Sequence, residues 1–543
     1  MLISGNFIDI FNREIFPARV FVRNGFIEKI ERIVGCFSSY ILPGFIDSHV
    51  HIESSMLVPS EFARAAVCHG TVAVVSDPHE IANVMGLRGI DFMIDNASMV
   101  PMKFFFGAPS CVPATDFESS GAKIGSKEIA ALLDRDDIYY LAELMNYPGV
   151  IAADKDVLEK ISIARSKGKP VDGHAPGLRG EELVRYAGAG ITSDHEAFTL
   201  EEAVEKINAG MKILIRDGSA ARNLDALAPL FDISPEKLML CSDDIHPEML
   251  FNGHINRLVA ELIRRGYDMF DVLRSASINA VNHYGLSVGM LREGDRADFI
   301  VVDSIENFNV LETWLDGRKI YSEGMVHFDT VPAGRPNTFN SSEIFRDDIY
   351  VKNQPGQIRV IDITDGELYT KSFTERWSED AYVKPDPEKD ILKIVVKDRY
   401  NDRPASVAFI RGFGLKEGAI AGSVAHDSHN IIAVGSDDDS IVKAVNAIIH
   451  ERGGLSVSCS DGTEIIPLPI AGIMSDVPCG TIAEKYLKLS ERVKKMGSHL
   501  KAPFMTLSFM SLLVIPELKL SDAGLFDGIN FRFTELFAEN NRG

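Results

Sequence analysis

The sequence has no cysteine pair, no long apolar run and no excess of basic residues, and each absence excludes a class of protein. Its six cysteines are scattered without a Cys-x-x-Cys motif, which excludes a zinc ribbon or a disulfide framework and fits a reducing compartment. The net charge of −22 leaves no basic stripe for nucleic acid. The run "FMTLSFMSLLVI" contains Ser and Thr and ends before Pro516, so it is too short to span a membrane.

The N-terminal segment "MLISGNFIDI" also lacks a basic region followed by a long apolar stretch, so we expect no secretion signal. Hydrophobic residues at 45% and charged residues at 25% are typical of a globular protein. We predict a cytoplasmic protein. A chain of 543 residues predicts roughly two to four domains.

Short β-rich segments alternate with amphipathic segments between residues 41 and 285. Examples are the strand candidates "TVAVVSD" and "MKILIRD" and the helix candidate "DKDVLEKISIARSKG", whose apolar residues recur at helical spacing before Gly168. Eight such alternations predict an α/β fold with a parallel sheet closed as a (β/α)8 barrel. A doubly wound open sheet is the alternative, but the Gly-rich phosphate turn that usually follows its first strand is absent.

Two segments that flank the predicted barrel have the pattern of short strands and tight turns. Residues 1–40 and 286–335 are predicted to form the two parts of one small β-sandwich. A segment rich in Pro, Asn and Ser, "VPAGRPNTFNSSE", is typical of a linker. Residues 340–543 then form a C-terminal α+β domain.

The segment "GFIDSHVHIESSM" places two histidines one residue apart at the end of an apolar run. In extended backbone alternate side chains point the same way, so Asp47, His49, His51 and Glu53 share one face. Two imidazoles so placed can bind one metal ion. The alternative is a pair of ordinary polar residues in a turn.

Further polar residues follow the predicted strands, which is where a (β/α)8 barrel carries its catalytic groups. His174 follows the fifth strand, His195 the sixth and Asp243 the eighth. Two cations also need a bridging group, and Glu143 at the end of "YYLAELM" is the candidate, although an isolated Glu there is more often a solvated loop acid. The predicted metal ligands are His49, His51, Glu143, His174, His195 and Asp243.

This pattern resembles the amidohydrolase superfamily, which carries His-x-His, a bridging ligand after strand four, histidines after strands five and six, and Asp after strand eight. The resemblance is closer to the adenine deaminases of the microbial type. Similar to that family's signatures are "PGFIDSHVHIESSM", "SDPHEIANV", "AELMNYPGVI", "DGHAPGL", "TSDHE" and "CSDDIHP", and the region after residue 340 is similar as well. The resemblance therefore covers essentially the whole chain.

The resemblance implies an enzyme of purine salvage that hydrolyses adenine to hypoxanthine and ammonia. It implies two divalent metal ions; four imidazoles and two carboxylates suit Mn(II), Fe(II) or Zn(II), and the resemblance favours manganese or iron. The metals lower the pKa of a shared water, and Asp243 accepts its proton. Asp243, or an acid near it, then passes the proton to the departing amine. We expect a homo-oligomer whose partner is the small-molecule substrate, with no nucleic acid and no membrane.

Two other functions remain open on the residues alone. Many binuclear relatives use a carboxylated lysine after strand four, whereas this strand ends in Glu143, and Lys155 and Lys160 come later. A glutamate there is what the resemblance to adenine deaminases implies, which weakens a cyclic-amide hydrolase of the dihydroorotase or hydantoinase type. A non-enzymatic metal-stabilised scaffold or binding protein is the third hypothesis, and the presence of all six ligands argues against it.

Polar residues after the second, third and seventh predicted strands are candidates for substrate contacts. Glu80 and His79 are predicted to be catalytic, in contact with the substrate or its water. The alternative is that "SDPHE" simply begins a helix, with Asp77 as its cap and Pro78 at its first position. The predicted substrate-binding residues are Asp77, Ser110, Arg216, Asp217 and Ser219.

The C-terminal region contains "GSVAHDSHNIIAVGSDDDSIVKAVNAI". Its second half predicts a helix with Asp and Ser at the start. His426, Asp427 and His429 are close enough in sequence to bind a metal or to complete the active site. The alternative is a structural turn between a strand and a helix.

Overall fold

The computed structural model describes residues 1–219, 222–377 and 380–538, and the chain divides into two compact units. The first comprises Met1–Pro78, Asp91–Cys111 and Ile124–Ala333, and the second comprises His79–Ile90, Val112–Lys123 and Gly334–Gly543. Two short segments that follow parallel strands therefore belong to the second unit, which the sequence analysis did not anticipate. Within the described ranges, every helix is too short or too polar to cross a membrane.

Eight parallel strands carry the candidate site in the first unit, one in each predicted strand segment. They form one sheet of five and one of three. A parallel bridge between Val50 and Asp243 links the first strand to the residues after the eighth. The Thr192 amide donates to the Val171 carbonyl at 2.8 Å, at the junction of the fifth and sixth strands. In chain order the strands are Phe45–Val50, Thr71–Ser76, Lys103–Ala108, Ile138–Leu144, Val171–Gly173, Ser193–Asp194, Lys212–Arg216 and Leu238–Cys241.

The predicted first strand, "YILPGFIDSH", is in fact two strands that belong to different sheets. Tyr40–Pro43 pairs with Leu2–Asp9 and Phe299–Val302, whereas Phe45–Val50 begins the parallel sheet. The chain changes sheets at Gly44, where an added Cβ would lie 2.2 Å from the Val72 side chain. Close packing against the second strand therefore requires glycine at the crossing.

Helices follow the parallel strands, as the alternating pattern predicts. Asp154 caps the helix Lys155–Ser166 by accepting from the Val157 amide, and Gly168 beyond its end has a φ of +67°. The α-helices from residue 59 to 284 are Pro59–Ala66, His79–Met85, Leu87–Ser98, Ser126–Leu133, Tyr147–Ile151, Lys155–Ser166, Gly180–Ala189, Leu200–Asn208, Leu224–Leu227, Pro247–Asn252, Ile255–Arg264, Met269–Ser275 and Ile278–Tyr284.

Both flanks of the parallel sheets contribute to a single eight-stranded sheet. Phe7, Val20, Phe299 and Trp314 from its two halves pack in one buried cluster, which explains why the two distant segments share an apolar pattern. Its strands are Leu2–Asp9, Glu14–Arg23, Phe26–Arg32, Tyr40–Pro43, Phe299–Val302, Val310–Leu315, Arg318–Ser322 and Met325–Val326.

The second unit is built on a nine-stranded, mostly antiparallel sheet. The predicted helix in "GSDDDSIVKAVNAI" is confirmed as Asp438–Glu451, with Asp437 accepting from the Ser440 amide. Its apolar face packs on the sheet through Ile441, Val445 and Ile448. The strands of the sheet are Gln357–Ile363, Thr370–Glu375, Ile391–Lys397, Ser406–Arg411, Ala419–Gly422, Ile431–Gly435, Gly454–Cys459, Gly462–Pro467 and Phe537–Ala538.

Smaller elements complete the second unit. Val351–Lys352 pairs with Tyr382–Val383. A three-stranded sheet contains Leu518–Ser521, Gly524–Asp527 and Arg532–Phe533, and two further helices span Cys479–Lys495 and Pro503–Ser508.

Candidate metal centre

Histidine and acidic side chains converge at the C-terminal ends of the parallel strands. The ligand atoms of His49, His195 and Asp243 lie within 4.8 Å of one another, as do those of Glu143, His174 and His195. Each residue lies at or just beyond a strand end, because parallel strands direct their carboxyl ends to one edge of a sheet.

The Glu143 carboxylate is the centre of this cluster. Its Oε2 lies 2.7 Å from His174 Nδ1 and 3.2 Å from His195 Nε2, and its Oε1 lies 3.2 Å from His51 Nε2. Each oxygen therefore faces a different part of the site. This is the arrangement that a carboxylate needs to bridge two positions.

The other side of the cluster is formed by His49, His51 and Asp243. Asp243 Oδ1 lies 3.3 Å from His51 Nε2 and 3.7 Å from His49 Nε2. The backbone joins the same residues, because the Asp243 amide donates to the His49 carbonyl at 2.9 Å and the His51 amide donates to the Asp243 carbonyl at 3.2 Å. Asp243 adopts a φ of +57°, an uncommon value that turns its side chain out of the strand direction.

The donor chemistry of the histidines fits a divalent metal centre. His51 Nδ1 lies 3.1 Å from the Asp77 carbonyl oxygen, which can only accept, so Nδ1 carries the proton and Nε2 presents a lone pair. That Nε2 lies only 3.2 Å from His49 Nε2. Burial and the neighbouring imidazoles of His195 and His51 lower the pKa of His49 well below its ordinary value, so this ring is neutral, as a metal ligand must be.

Both carboxylates of the site are held in the anionic state. Burial opposes ionisation of Glu143, but the surrounding imidazoles, His174 first, lower its pKa well below the ordinary value. Burial likewise opposes ionisation of Asp243, but the Arg216 guanidinium together with the imidazoles of His51, His195 and His49 lowers its pKa well below the ordinary value. Carboxylate oxygens beside imidazole nitrogens are a ligand set for divalent cations.

Glu196 is a residue of the site that the sequence analysis missed. Arg216 Nη1 donates to Glu196 Oε1 at 2.5 Å and Nη2 donates to Oε2 at 3.0 Å, and Nη1 also contacts Asp243 Oδ2. Glu196 Oε1 in turn lies 3.6 Å from His195 Nε2 and 3.7 Å from His174 Nδ1. Its position directly after His195 in "TSDHE" is the only signal that pointed to it.

Arg216, which was predicted to bind substrate, therefore lies at the site, but its guanidinium contacts the carboxylates of Glu196 and Asp243. A buried guanidinium between Glu196 and Asp243 links the ends of the sixth, seventh and eighth strands. The planar group fits two carboxylates at once. These contacts hold the Asp243 carboxylate in position.

Asp47 and Asp172 lie beneath the histidines and accept hydrogen bonds from other groups. Asp47 Oδ2 accepts from His254 Nε2 at 2.8 Å, and its Oδ1 accepts from the Ser242 amide at 3.0 Å. Asp172 accepts from the Ser193 and Tyr284 hydroxyls at 2.6 and 2.8 Å. Each acid joins neighbouring strands, so the two carboxylates support the sheet under the site.

Two of the predicted substrate-binding serines make contacts within loops. The Ser110 hydroxyl donates to the Glu143 carbonyl at 2.5 Å. The Ser219 hydroxyl accepts from the His246 amide at 2.7 Å, and its own amide donates to the Asp244 carbonyl at 2.7 Å. These bonds fix the backbone beside Glu143 and after the eighth strand.

Asp217 faces a surface cavity of about 640 Å³ together with Arg222 and Arg265. Its carboxylate lies 3.4 Å from Arg222 Nε. Asp77, another predicted substrate-binding residue, contributes its carbonyl to orienting the His51 ring.

Lys160 does not take the bridging place that a carboxylated lysine has in many related enzymes. Its amino group donates to the Ser110 and Ile124 carbonyls at 3.0 and 3.1 Å and pairs with Asp156 at 3.1 Å. The Lys160 amine is therefore held by two carbonyl oxygens and one carboxylate, and the Glu143 carboxylate is the group at the centre of the histidine cluster.

The remaining predicted residues, His79, Glu80, His426, Asp427 and His429, all belong to the second unit. Glu80 Oε1 lies 2.6 Å from His426 Nδ1 and 3.5 Å from His79 Nε2, and Glu80 Oε2 contacts His429 Nε2. Asp427 offers a ligand atom within 4.8 Å of those of His79 and Glu80. The loop that carries the two later histidines therefore meets the acid that follows the second parallel strand.

Comparison with known proteins extends these observations to the whole chain. Residues 40–320 match the amidohydrolase family, and residues 367–532 match the adenine deaminase C-terminal domain. Proteins named adenine deaminase are 52% identical in Salinibacter ruber over 99% of both chains, and 54% identical in Sulfurovum sp. over 98% of this chain and 99% of that one. A third, from Methanosarcina acetivorans, is 51% identical over 98% of this chain and 99% of its own.

These matches cover both units, and they include the strand ends that carry the histidines and acids of the metal centre. With about half of its residues identical to each relative over nearly the full length, the chain belongs to the adenine deaminase family of amidohydrolases.

Proposed function

We propose that this protein is an adenine deaminase, which hydrolyses adenine to hypoxanthine and ammonia in purine salvage. One observation carries the proposal: the Glu143 carboxylate lies within 3.2 Å of imidazole nitrogens of His51, His174 and His195. The similarity to proteins named adenine deaminase over the full chain supports adenine as the substrate. The functional partner is this small molecule, and we propose that the enzyme works as a homo-oligomer.

The proposed architecture places the metal centre at the mouth of a (β/α)8 barrel made of the two parallel sheets. The bridge between Val50 and Asp243 supports closure on one side. Residues 41–285 form the catalytic barrel, 1–40 and 286–335 the flanking β-sandwich, and 340–543 a C-terminal α+β domain. The C-terminal strand ends of such a barrel carry the catalytic groups.

Two divalent cations are the proposed cofactor, held by His49, His51, Glu143, His174, His195 and Asp243. Four imidazoles and two carboxylates suit Mn(II), Fe(II) or Zn(II), and we propose manganese or iron. When bound, the cations lower the pKa of a water molecule, so that hydroxide is available at neutral pH.

Asp243 is the proposed proton acceptor and donor. Its Oδ2 is held by Arg216, while Oδ1 faces His49 and His51, so one carboxylate oxygen has a fixed direction towards the centre. Asp243 takes the proton of the attacking water as its oxygen bonds to C6 of adenine. The same proton passes to the exocyclic amine as the C6–N bond breaks, which releases ammonia.

Substrate recognition is proposed to use the loops after the second, third and seventh strands. Glu80 and His79 are the proposed catalytic groups that contact the purine or its water, and Asp77 and Asp217 supply acceptors. The contacts of Arg216 with Asp243, and of the two serines with loop backbone, support positioning roles for them. The predicted substrate-binding set is Asp77, Ser110, Arg216, Asp217 and Ser219.

The test is a measurement of metal content and turnover on the same preparations. Purified protein loaded with Mn(II) is expected to contain two metal equivalents and to release ammonia from adenine, and to leave a hydantoin and dihydroorotate unchanged. Ring opening without ammonia release would refute the proposal in favour of a cyclic-amide hydrolase.

The variant Asp243→Asn separates the proposed role of Asp243 as a metal ligand from its proposed role in proton transfer. We expect the variant to keep most of its metal, because one oxygen and the surrounding imidazoles remain, and to lose activity about 100-fold or more, since general acid–base groups contribute about that much. Full metal content with unchanged turnover would refute the proton transfer through Asp243.

A further inference from the structure

Glu80 is held by two histidines of one loop in the second unit. We propose that His426 and His429 are positioning residues, which fix the Glu80 carboxylate in the single orientation that its catalytic role requires. The inference rests on the proposed adenine deaminase function and on the role proposed there for Glu80. It assigns to the C-terminal loop a part in the chemistry of the enzyme.

The contacts give each carboxylate oxygen its own imidazole. Oε1 of Glu80 lies 2.6 Å from His426 Nδ1, and Oε2 contacts His429 Nε2. All three side chains are buried, with 4% of their surface exposed at most. A carboxylate with an imidazole nitrogen against each oxygen is restricted in rotation about its last bond, so the two rings determine the plane of the group.

The backbone determines which nitrogen of His429 carries the proton. The Ala425 amide donates to His429 Nδ1 at 3.3 Å, so Nδ1 is the acceptor and Nε2 carries the hydrogen that faces Glu80. Burial lowers the pKa of His429, which is consistent with a neutral ring.

The histidines are themselves fixed by their surroundings. The His426 ring stacks on Phe509, with the centroids 4.5 Å apart and the planes 12° from parallel. The His426 amide donates to the Ser508 carbonyl at 3.0 Å, and the His429 amide donates to the Ala425 carbonyl at 2.7 Å. The loop therefore presents both rings in one conformation, as a preorganised support for a functional group does.

Arg399 anchors the far side of this loop without an acidic partner of its own in the described contacts. The buried guanidinium donates to the His429 carbonyl at 3.1 Å, to the Ala471 carbonyl at 2.7 Å and to Asn337 Oδ1 at 2.7 Å. The Thr338 carbonyl is a fourth acceptor, at 3.3 Å, and burying a cation among neutral acceptors is costly to the fold. This cost is consistent with a requirement that the His429 ring be held in one position.

A purely structural contact between the loop and the helix His79–Met85 does not require a buried carboxylate and two buried imidazoles. Removing a carboxylate and two imidazoles from water costs more than packing apolar side chains of similar size. Glu80 also follows the second parallel strand by only a few residues, in the short helix His79–Met85, so it lies on the segment that a barrel uses for catalysis. Burial together with placement favours a functional role.

The experiment uses the full-length, Mn-loaded enzyme and compares His429→Ala, His429→Gln and His426→Ala. His450→Ala is the matched control, because His450 also faces an acid, with Nε2 2.5 Å from Glu343, but both side chains are exposed. We expect kcat for adenine to fall about 10–100-fold in the alanine variants, with KM within about threefold. His429→Gln should recover much of the loss, since its amide can donate to the same oxygen, and His450→Ala should be unchanged.

A double-mutant cycle with Glu80→Gln tests whether the histidine acts through the acid. If it does, His429→Ala changes kcat less than about twofold once Glu80 is already replaced, because residues that act as a unit are not additive. Additive losses, or wild-type kcat in both alanine variants, would overturn the inference. So would the loss of a metal equivalent in His429→Ala, which would make the histidine a metal ligand.

The same measurements distinguish this inference from the proposed function. An inactive wild-type enzyme with full metal content would refute the adenine deaminase activity and the positioning role with it. An active wild-type enzyme with additive variants would refute only the positioning role.

Discussion

Replacing Arg216 with methionine removes a buried guanidinium that contacts two carboxylates. In the native site Arg216 forms a two-point contact with Glu196, at 2.5 and 3.0 Å, and also contacts Asp243 Oδ2. Methionine fills a similar volume without charge. The variant therefore leaves both acids buried without the guanidinium that lies between them.

The cost of this change follows from the burial of all three groups. Breaking a buried ion pair by removing one partner costs about 3–5 kcal/mol, because the remaining charge has lost its water and its partner. The first unit has roughly 300 residues, so its unfolding entropy is about 0.6 kcal/mol per kelvin. We expect the melting temperature to fall by about 5–8 °C. Activity should fall about 10–100-fold as Asp243 loses its support.

The assay is thermal unfolding of the metal-loaded enzyme at fixed metal concentration, with turnover of adenine measured on the same samples. Arg179→Met is the matched control, since Arg179 makes the same kind of contact with Glu205, at 2.5 Å, on the exposed surface. Exposed pairs contribute about 0–1 kcal/mol, so the control should melt within about 2 °C of wild type.

Combining Arg216→Met with Glu196→Gln completes the test. The second change removes one of the stranded charges, so the double variant should be more stable than the sum of the single effects predicts. Arg216→Met could instead have the same melting temperature as the Arg179→Met control, or the effects of Arg216→Met and Glu196→Gln could be additive. Either result would show that the guanidinium does not stabilise the two buried carboxylates.

Two further predictions concern buried lysines. Lys206→Met should lower the unfolding free energy by about 3–5 kcal/mol, because Nζ pairs with Asp194 and Glu202 at 2.8 Å each; the exposed Lys488→Met is the control, and equal urea midpoints for the two variants would contradict the assignment. Burial lowers the pKa of Lys519 to about 7, whereas the unfolded chain keeps a value of about 10.4. The unfolded state then binds more protons between these values, so wild-type stability should rise as the pH increases across this window. Melting temperatures from pH 7 to 10 should show a smaller slope in Lys519→Met, and an unchanged slope would refute the argument.

The sequence by itself determined the parallel strands and the residue types at their ends. Apolar runs followed by His49, His174 or His195 are local patterns, and a chain that places polar groups after each buried strand gathers them at one edge of the sheet. The eight parallel strands and the helix Asp438–Glu451 were predictable for this reason. The boundary at Gly44 was not, because it depends on how closely Val72 of the next strand approaches.

Only the tertiary structure decided which side chains meet. Nothing local in the sequence couples Arg216 to Glu196 and Asp243, or Glu80 to His426 and His429, because these partners are far apart along the chain and are joined by packing. The spacing of His426 and His429 suggested a metal site, a loop that completes the active site, or a turn, and the tertiary structure adds that both rings face one carboxylate. Local pattern determines where a group is presented on an element, whereas the distances that determine its chemistry depend on the packing of elements distant in sequence.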